Sequence, residues 1–213
     1  MISFRRLYLD ECLEQNKRLM QGRVLDVGGK RKNRRGAFKP PAVGVKRWEY
    51  LNTDATTDPD YCCSAESIPL PDASIDTVVM AELLEYLPKP LEVLRELHRV
   101  TKLGAYVLIS TPFLNPIHGD DWADRARYTP VMLRDMVEET GFNVCSIEPM
   151  GSVGAVIYDT LRVAFGYASA HGGNRFCTRL LKGTVPFFKW FDKKMKAQNR
   201  YINTGYFIVI KKI

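Results

Sequence analysis

Arg23-Val24-Leu25-Asp26-Val27-Gly28-Gly29-Lys30 is the stretch that decides the fold. Apolar residues flank an acid and run into two glycines. This is the pattern of a buried strand ending in a tight turn, where the backbone can come close to a ligand. Further on, Trp48-Glu49-Tyr50-Leu51-Asn52-Thr53 reads as a second strand, and it ends in Asp54. A glycine turn after one strand and an acid after the next is how doubly wound α/β domains hold a nucleoside. The turn grips the backbone side of the ligand, and the acid takes the ribose hydroxyls.

Alternation continues outward from that stretch. Residues 4–20 read as an amphipathic helix, with Leu7, Leu9, Cys12, Leu13 and Leu19 apolar and Gly22 just beyond its end. The segment from Lys30 to Lys46 holds Lys30-Arg31-Lys32-Asn33-Arg34-Arg35 and Pro40-Pro41 without a helical apolar period. A basic loop is therefore expected where a doubly wound fold has a helix. Ser74 to Met80 is a buried-strand candidate. Pro90 suits the first turn of a helix with Leu91, Leu94, Leu97 and Val100 inward and Gly104 at its exit. Tyr106 to Ser110 is another strand. Thr129-Pro130 opens a helix with Met132, Leu133, Met136 and Val137 inward, closed by Gly141, and strands follow at 142–147 and 206–210. The order implies a mostly parallel sheet with helices on both faces.

The chain has 213 residues, enough for one core with a modest appendage, so residues 1–213 read as a single domain. The five cysteines fit a reducing compartment, and the adjacent Cys62 and Cys63 lack the spacing of a metal site. No run approaches the roughly 20 apolar residues of a spanning helix. Met1-Ile2-Ser3-Phe4-Arg5-Arg6 is not followed by an apolar signal core, so a cytoplasmic location is expected. The net charge of +7 belongs to the C-terminal third: from Ser152 onward there are 11 basic and 2 acidic residues. Residues 152–200 mix Arg175, Arg179, Lys182, Lys189, Lys193, Lys194 and Lys196 with Phe176, Leu180, Phe187, Phe188, Trp190 and Phe191. That mixture reads as one or two helices that lid an acceptor pocket, lie on a membrane surface through residues 175–196, or both. Nucleic acid is disfavoured as a partner, because no RNA module and no Asn-Pro-Pro-Tyr base-methylation motif is present.

From Val24 to about Gly151 the chain resembles the class I S-adenosylmethionine-dependent methyltransferases, in their type 11, small-molecule branch. The resemblance is carried by Val24-Leu25-Asp26-Val27-Gly28-Gly29, Asp54, Ala65-Glu66-Ser67-Ile68-Pro69-Leu70-Pro71-Asp72-Ala73-Ser74-Ile75-Asp76, Glu82-Leu83-Leu84-Glu85-Tyr86-Leu87, Leu97-His98-Arg99-Val100-Thr101-Lys102-Leu103-Gly104 and Ser110-Thr111-Pro112-Phe113. It implies a Rossmann-like sheet of seven strands with the last antiparallel, and S-adenosyl-L-methionine as cofactor. Asp26, Gly28 and Gly29 would border the methionine end of the cofactor, and Asp54 its ribose. Ser64, Ala65 and Glu66 would lie near adenine. Glu82 would face the reaction centre, touching cofactor and substrate. The chain departs from the family where Lys30 replaces a third glycine, Ser64 an aspartate and Tyr86 a histidine. Lys30 or Arg31 is a candidate partner for the cofactor carboxylate in place of the missing helix dipole. The basic-loop form is similar to proteins of bacterial glycan pathways.

Loops at the carboxyl ends of parallel strands carry the chemistry of such sheets. Here that loop is Asn115-Pro116-Ile117-His118-Gly119-Asp120-Asp121-Trp122-Ala123-Asp124-Arg125-Ala126-Arg127-Tyr128-Thr129. Methyl transfer from a sulfonium needs a positioned acceptor, and a hydroxyl acceptor also needs a base of near-neutral pKa. His118 is the candidate base, oriented by Asp120, Asp121 or Asp124; the alternatives are a substrate-binding or loop-capping role. Glu82, His118, Trp122, Arg127 and Tyr128 are the candidate substrate contacts, with Arg127 holding either a substrate anion or a nearby acid. The expected function is O-methylation of a small or lipid-linked acceptor such as a sugar. The alternatives are N- or C-methylation of a small molecule or quinone-like lipid, or cofactor binding without catalysis.

Overall fold

Six strands form one sheet in the order β2-β1-β3-β4-β6-β5. They are β1 (Gly22–Val27), β2 (Val45–Leu51), β3 (Ile75–Ala81), β4 (Thr101–Pro112), β5 (Phe142–Met150) and β6 (Gly205–Lys212). β2, β1, β3 and β4 run parallel, and β6 pairs antiparallel with both β4 and β5. The computed structural model describes residues 3–32, 36–117, 123–170, 175–195 and 201–213, apart from the side chains of 167–170, 175 and 178.

Among the described residues the sheet has six strands rather than seven. Past Leu51 a single parallel bridge to Tyr61 marks where another edge strand would begin. It goes no further because the Asp60 carboxylate accepts the Tyr50 amide at 2.8 Å, a donor that a ladder carbonyl would otherwise take.

The helices are α1 (Phe4–Gln15), α2 (Pro90–Val100), α3 (Pro130–Glu139), α4 (Val153–Ala170), α5 (Arg175–Gly183) and α6 (Val185–Met195). Val93, Leu94 and Leu97 of α2 join Leu133, Met136 and Val137 of α3 on one face of the sheet, against Val27, Val78, Val107 and Ile208. Leu9 and Leu13 of α1 cover the other face, against Val24, Val79, Leu108 and Phe207. Burial of each such side chain contributes about 2 kcal/mol, so both faces are held by packing.

Three local expectations are corrected. Gly104 does not end α2: Thr101 is the C-cap, and Gly104, at φ 80°, lies inside β4 where the register with β3 shifts. Met132 is half exposed, because α3 turns Leu133, Met136 and Val137 inward instead. The described residues of the 152–200 segment form three helices, α4, α5 and α6, with Thr184 between the last two. Between β1 and β2 the described residues form no helix, in line with the basic loop.

Candidate cofactor and acceptor site

The glycine turn is built by bonds that cross β1 and β2. Gly28 adopts φ 79°, a conformation that favours glycine, and donates its amide to Leu51 O at 2.8 Å. The Asp26 side chain lies over Gly29, where any Cβ would collide with it. Asp26 Oδ2 also accepts the Trp48 indole N–H at 3.2 Å. Asn52 Nδ2 reaches back to the carbonyls of Gly28 (3.1 Å) and Gly29 (3.0 Å), pinning the turn. Sequence reading passed over Asn52 and Trp48 as ordinary strand residues. An amide just past a strand, opposite a double-glycine turn, was the available signal.

Asp54 caps a short 3-10 turn, accepting from Thr56 N (3.0 Å) and Thr56 Oγ1 (2.6 Å), both on Oδ1. The Thr56 hydroxyl and then its amide hold this carboxyl below its ordinary range, and the positive charge of Lys30 adds to the effect. Arg31 does not stand ready for an anion: it pairs with Asp60 at 2.5 Å and lies over the Tyr50 ring. Ser64 Oγ accepts the Glu66 amide at 3.3 Å within a tight turn, and Ala65 beside it is buried.

The other half of the site gathers around the end of β3. Glu82 sits at φ 56°, a left-handed conformation that costs a non-glycine residue about 1 kcal/mol or more. Its amide donates to Ser110 O at 3.0 Å, and Ser110 Oγ donates to Glu82 Oε1 at 2.8 Å. Glu82 Oε2 pairs with Arg5, which enters from the first turn of α1. A cation at a helix N-terminus opposes the helix dipole, and burial depresses the Arg5 pKa, against the pull of Glu85 and Asp159. Arg5 therefore violates local preference at a point where the sheet ends. It is the principal residue that sequence reading missed.

Glu85 is fully buried, and its carbonyl accepts the amides of Arg125 (2.9 Å) and Ala126 (3.3 Å), tying the long loop to the end of β3. The Tyr128 hydroxyl lies 3.4 Å from Leu84 O, its pKa raised first by burial and then by Glu85. Asp124 is wholly covered and forms a two-pronged pair with Arg127, whose pKa that bond raises. Of the two readings of Arg127, pairing with a loop acid is the observed one, and that acid is Asp124. His118, Asp120, Asp121 and Trp122 lie outside the described residues.

Helices of the insert hold α1 in place. Asp159 of α4 accepts the amides of Phe4 and Arg5, each at 2.9 Å. Asp192 of α6 accepts from Ser152 N, Ser152 Oγ and Ala155 N at the start of α4, and from the Tyr8 hydroxyl of α1 at 2.5 Å. Both carboxylates are fully buried.

Residues 41–109 match the family profile described as a methyltransferase domain. Over that third of the chain the protein is similar to the S-adenosylmethionine-dependent methyltransferases. The fold agrees: a methyltransferase structure from Archaeoglobus fulgidus aligns with a TM-score of 0.60 at 18% identity, over 97% of this chain and 94% of that one. The (4+2)-cyclase SpnF aligns with a TM-score of 0.58 at 18% identity, over 96% of this chain and 79% of that one. In sequence, the malonyl-(acyl-carrier protein) O-methyltransferase of Marinomonas sp. (strain MWYL1) is 42% identical over 50 residues. That match spans 24% of this chain and 18% of the relative's length. Among the described residues no helix is long and apolar enough to cross a membrane.

Proposed function

We propose that this protein transfers the methyl group of S-adenosylmethionine to a hydroxyl of a small or lipid-linked acceptor, such as a sugar in glycan biosynthesis. The observation that carries the cofactor half is the pairing of a pinned glycine turn with Asp54 at the carboxyl ends of β1 and β2. Asp26, Gly28 and Gly29 border the methionine end, Lys30 meets its carboxylate, and Asp54 accepts from the ribose. Ser64, Ala65 and Glu66 lie against adenine. Glu82, held by Arg5 and Ser110, faces the methyl group and the acceptor, with Tyr128 nearby. His118 is the base or an acceptor ligand, with Asp121 assigned to orient it and Trp122 to contact the acceptor. Asp124 and Arg127 brace that loop. A relative that methylates oxygen supports oxygen as the receiving atom.

N-methylation is the second reading, favoured by one observation: Glu82, Glu85 and Asp124 bring three carboxylates against Arg5 and Arg127, a balance that suits a cationic amine. The SpnF likeness keeps a third reading in view, a cofactor-binding fold turned to other chemistry.

Calorimetry with S-adenosylmethionine and S-adenosylhomocysteine tests the cofactor half. The wild type binds both, and Asp54→Ala weakens binding about thirtyfold, the loss of a charged hydrogen-bonding partner. Absence of binding by the wild type overturns the reading. Incubation with labelled cofactor and membrane-extracted lipid-linked glycans then tests the acceptor, with alkaline stability of the product separating ether from ester.

The same reading places the protein in the cytoplasm, with residues 175–196 reaching the inner membrane surface.

A further inference from the structure

Two helices of the insert present a surface that is largely exposed among the described residues. Leu181 of α5 and Phe188 of α6 turn inward, against Phe4 and Tyr158. Their opposite sides carry Phe176 and Leu180, one turn apart on α5, and Phe187 and Trp190, one turn apart on α6. These four are 59%, 55%, 57% and 58% exposed. Phe187 is the centre of an aromatic group, with Trp190 and Phe191 each at 6.1 Å between ring centres. Exposed apolar groups of this kind on neighbouring helices mark an interaction site.

Charge selects the partner. The segment from Ser152 onward has two acids, Asp159 and Asp192, and both are fully buried. Asp159 is used at the start of α1, and Asp192 at the start of α4. Around the exposed rings stand Arg179, Lys182, Lys189, Lys193 and Lys194, all exposed and all positive. The Lys194 ammonium lies 6.0 Å from the centre of the Trp190 ring, so cation and indole occupy one level.

We propose that this face of α5 and α6 docks on a bilayer surface bearing anionic lipid. Aromatic and leucine side chains enter the interface while lysines and arginines meet the headgroups. A second copy of the same face is disfavoured, since both partners would bring only cations. Nucleic acid is disfavoured because Leu180 offers no stacking plane and the Phe187 ring is already stacked on Phe191, at an interplanar angle of 3°. The inference rests on the lipid-linked acceptor reading for its purpose. It connects to the site through α1, which α4 and α6 clamp and whose Arg5 meets Glu82.

Vesicle flotation of the full chain tests it. Vesicles of equimolar phosphatidylcholine and phosphatidylglycerol carry the protein at low salt and release it at high salt, whereas phosphatidylcholine alone does not. Each of Lys189→Glu, Lys193→Glu and Lys194→Glu lowers the partition coefficient by about fivefold or more. Phe187→Ser with Trp190→Ser abolishes flotation while leaving S-adenosylmethionine affinity unchanged. Failure to float at low salt overturns the proposal, as does equal flotation of the charge-reversed proteins. Retention on heparin or RNA without vesicle binding overturns it in favour of nucleic acid. Flotation by a protein that binds no S-adenosylmethionine sinks the enzyme reading and leaves the docking surface standing.

Discussion

The two halves of the site are made differently. On the cofactor side, partners lie close in sequence: Asp54 with Thr56, Asp26 with Trp48, Asn52 with the two glycine carbonyls. On the acceptor side, α1 is fixed by Asp159 and Asp192, 155 and 184 residues away from the groups they bond, and Arg5 crosses to Glu82 from another element. The first half is a strand-turn-strand device that carries its own instructions. The second exists only after the N-terminal helix and the C-terminal insert have come together.

The strongest way to break this contrast is at the Arg5–Glu82 pair. Taking one partner from a buried ion pair strands the other, at a cost of about 3 kcal/mol. Arg5→Met is therefore expected to lower unfolding stability by about that much in urea, and Glu82→Gln by a similar amount. The double variant should be more stable than the sum of the two losses predicts. If Arg5→Met changes stability by less than about 0.5 kcal/mol, a surface-like value, the pair is idle and the acceptor half has no such long-range clasp.

A pH titration sharpens the same contrast. Glu49, buried on β2, is pushed up by desolvation, but bonds from Arg23 and Tyr61 and the charge of Arg47 outweigh this and bring its pKa below 4.5. A depressed carboxylate contributes stability that is present above its unfolded pKa and lost as pH falls through the folded value. Asp159 has the opposite sign. Burial raises it above 3.8, so its contribution is present at low pH and fades as pH rises through the folded value. Acid is thus expected to weaken the β1–β2 side before the α1–α4 clamp. Glu49→Gln should flatten the loss of denaturant midpoint below pH 4.5, while Asp159→Asn should differ least from wild type in acid. Equal acid profiles for wild type and Glu49→Gln would refute the assignment.

Legibility follows the same division. The parallel order, the Pro90 and Pro130 helix starts and the lack of a helix among the described residues after β1 could all be read, because local propensity and tertiary structure agree there. The seventh strand could not be discounted, since its loss turns on one carboxylate taking the Tyr50 amide. Gly104 misled because a left-handed glycine serves a bulge as well as a helix end. Arg5 was unreadable because nothing near it in the chain explains a cation at a helix start; its reason is Glu82. Asp159 and Asp192 looked like two lone acids in a basic segment, and only packing shows them as caps for helices they do not belong to.

The smallest effect is expected at Ser64, where the family resemblance has an acid that would meet the adenine amino group. Here the hydroxyl accepts the Glu66 amide and shapes its own turn. An aspartate keeps that turn, because its carboxylate accepts the same amide, and brings a second oxygen free for the ligand. Ser64→Asp should tighten S-adenosylmethionine binding by about fivefold, one modest hydrogen bond, with no change in stability beyond a few tenths of a kcal/mol. Adenosine should gain by the same factor and inosine, which lacks the amino group, by none. The difference between those two nucleosides locates the adenine edge. Equal gains for both would mean that Ser64 senses only the general charge of the turn, and that the cofactor half is less completely written in its local sequence than the glycine turn suggests.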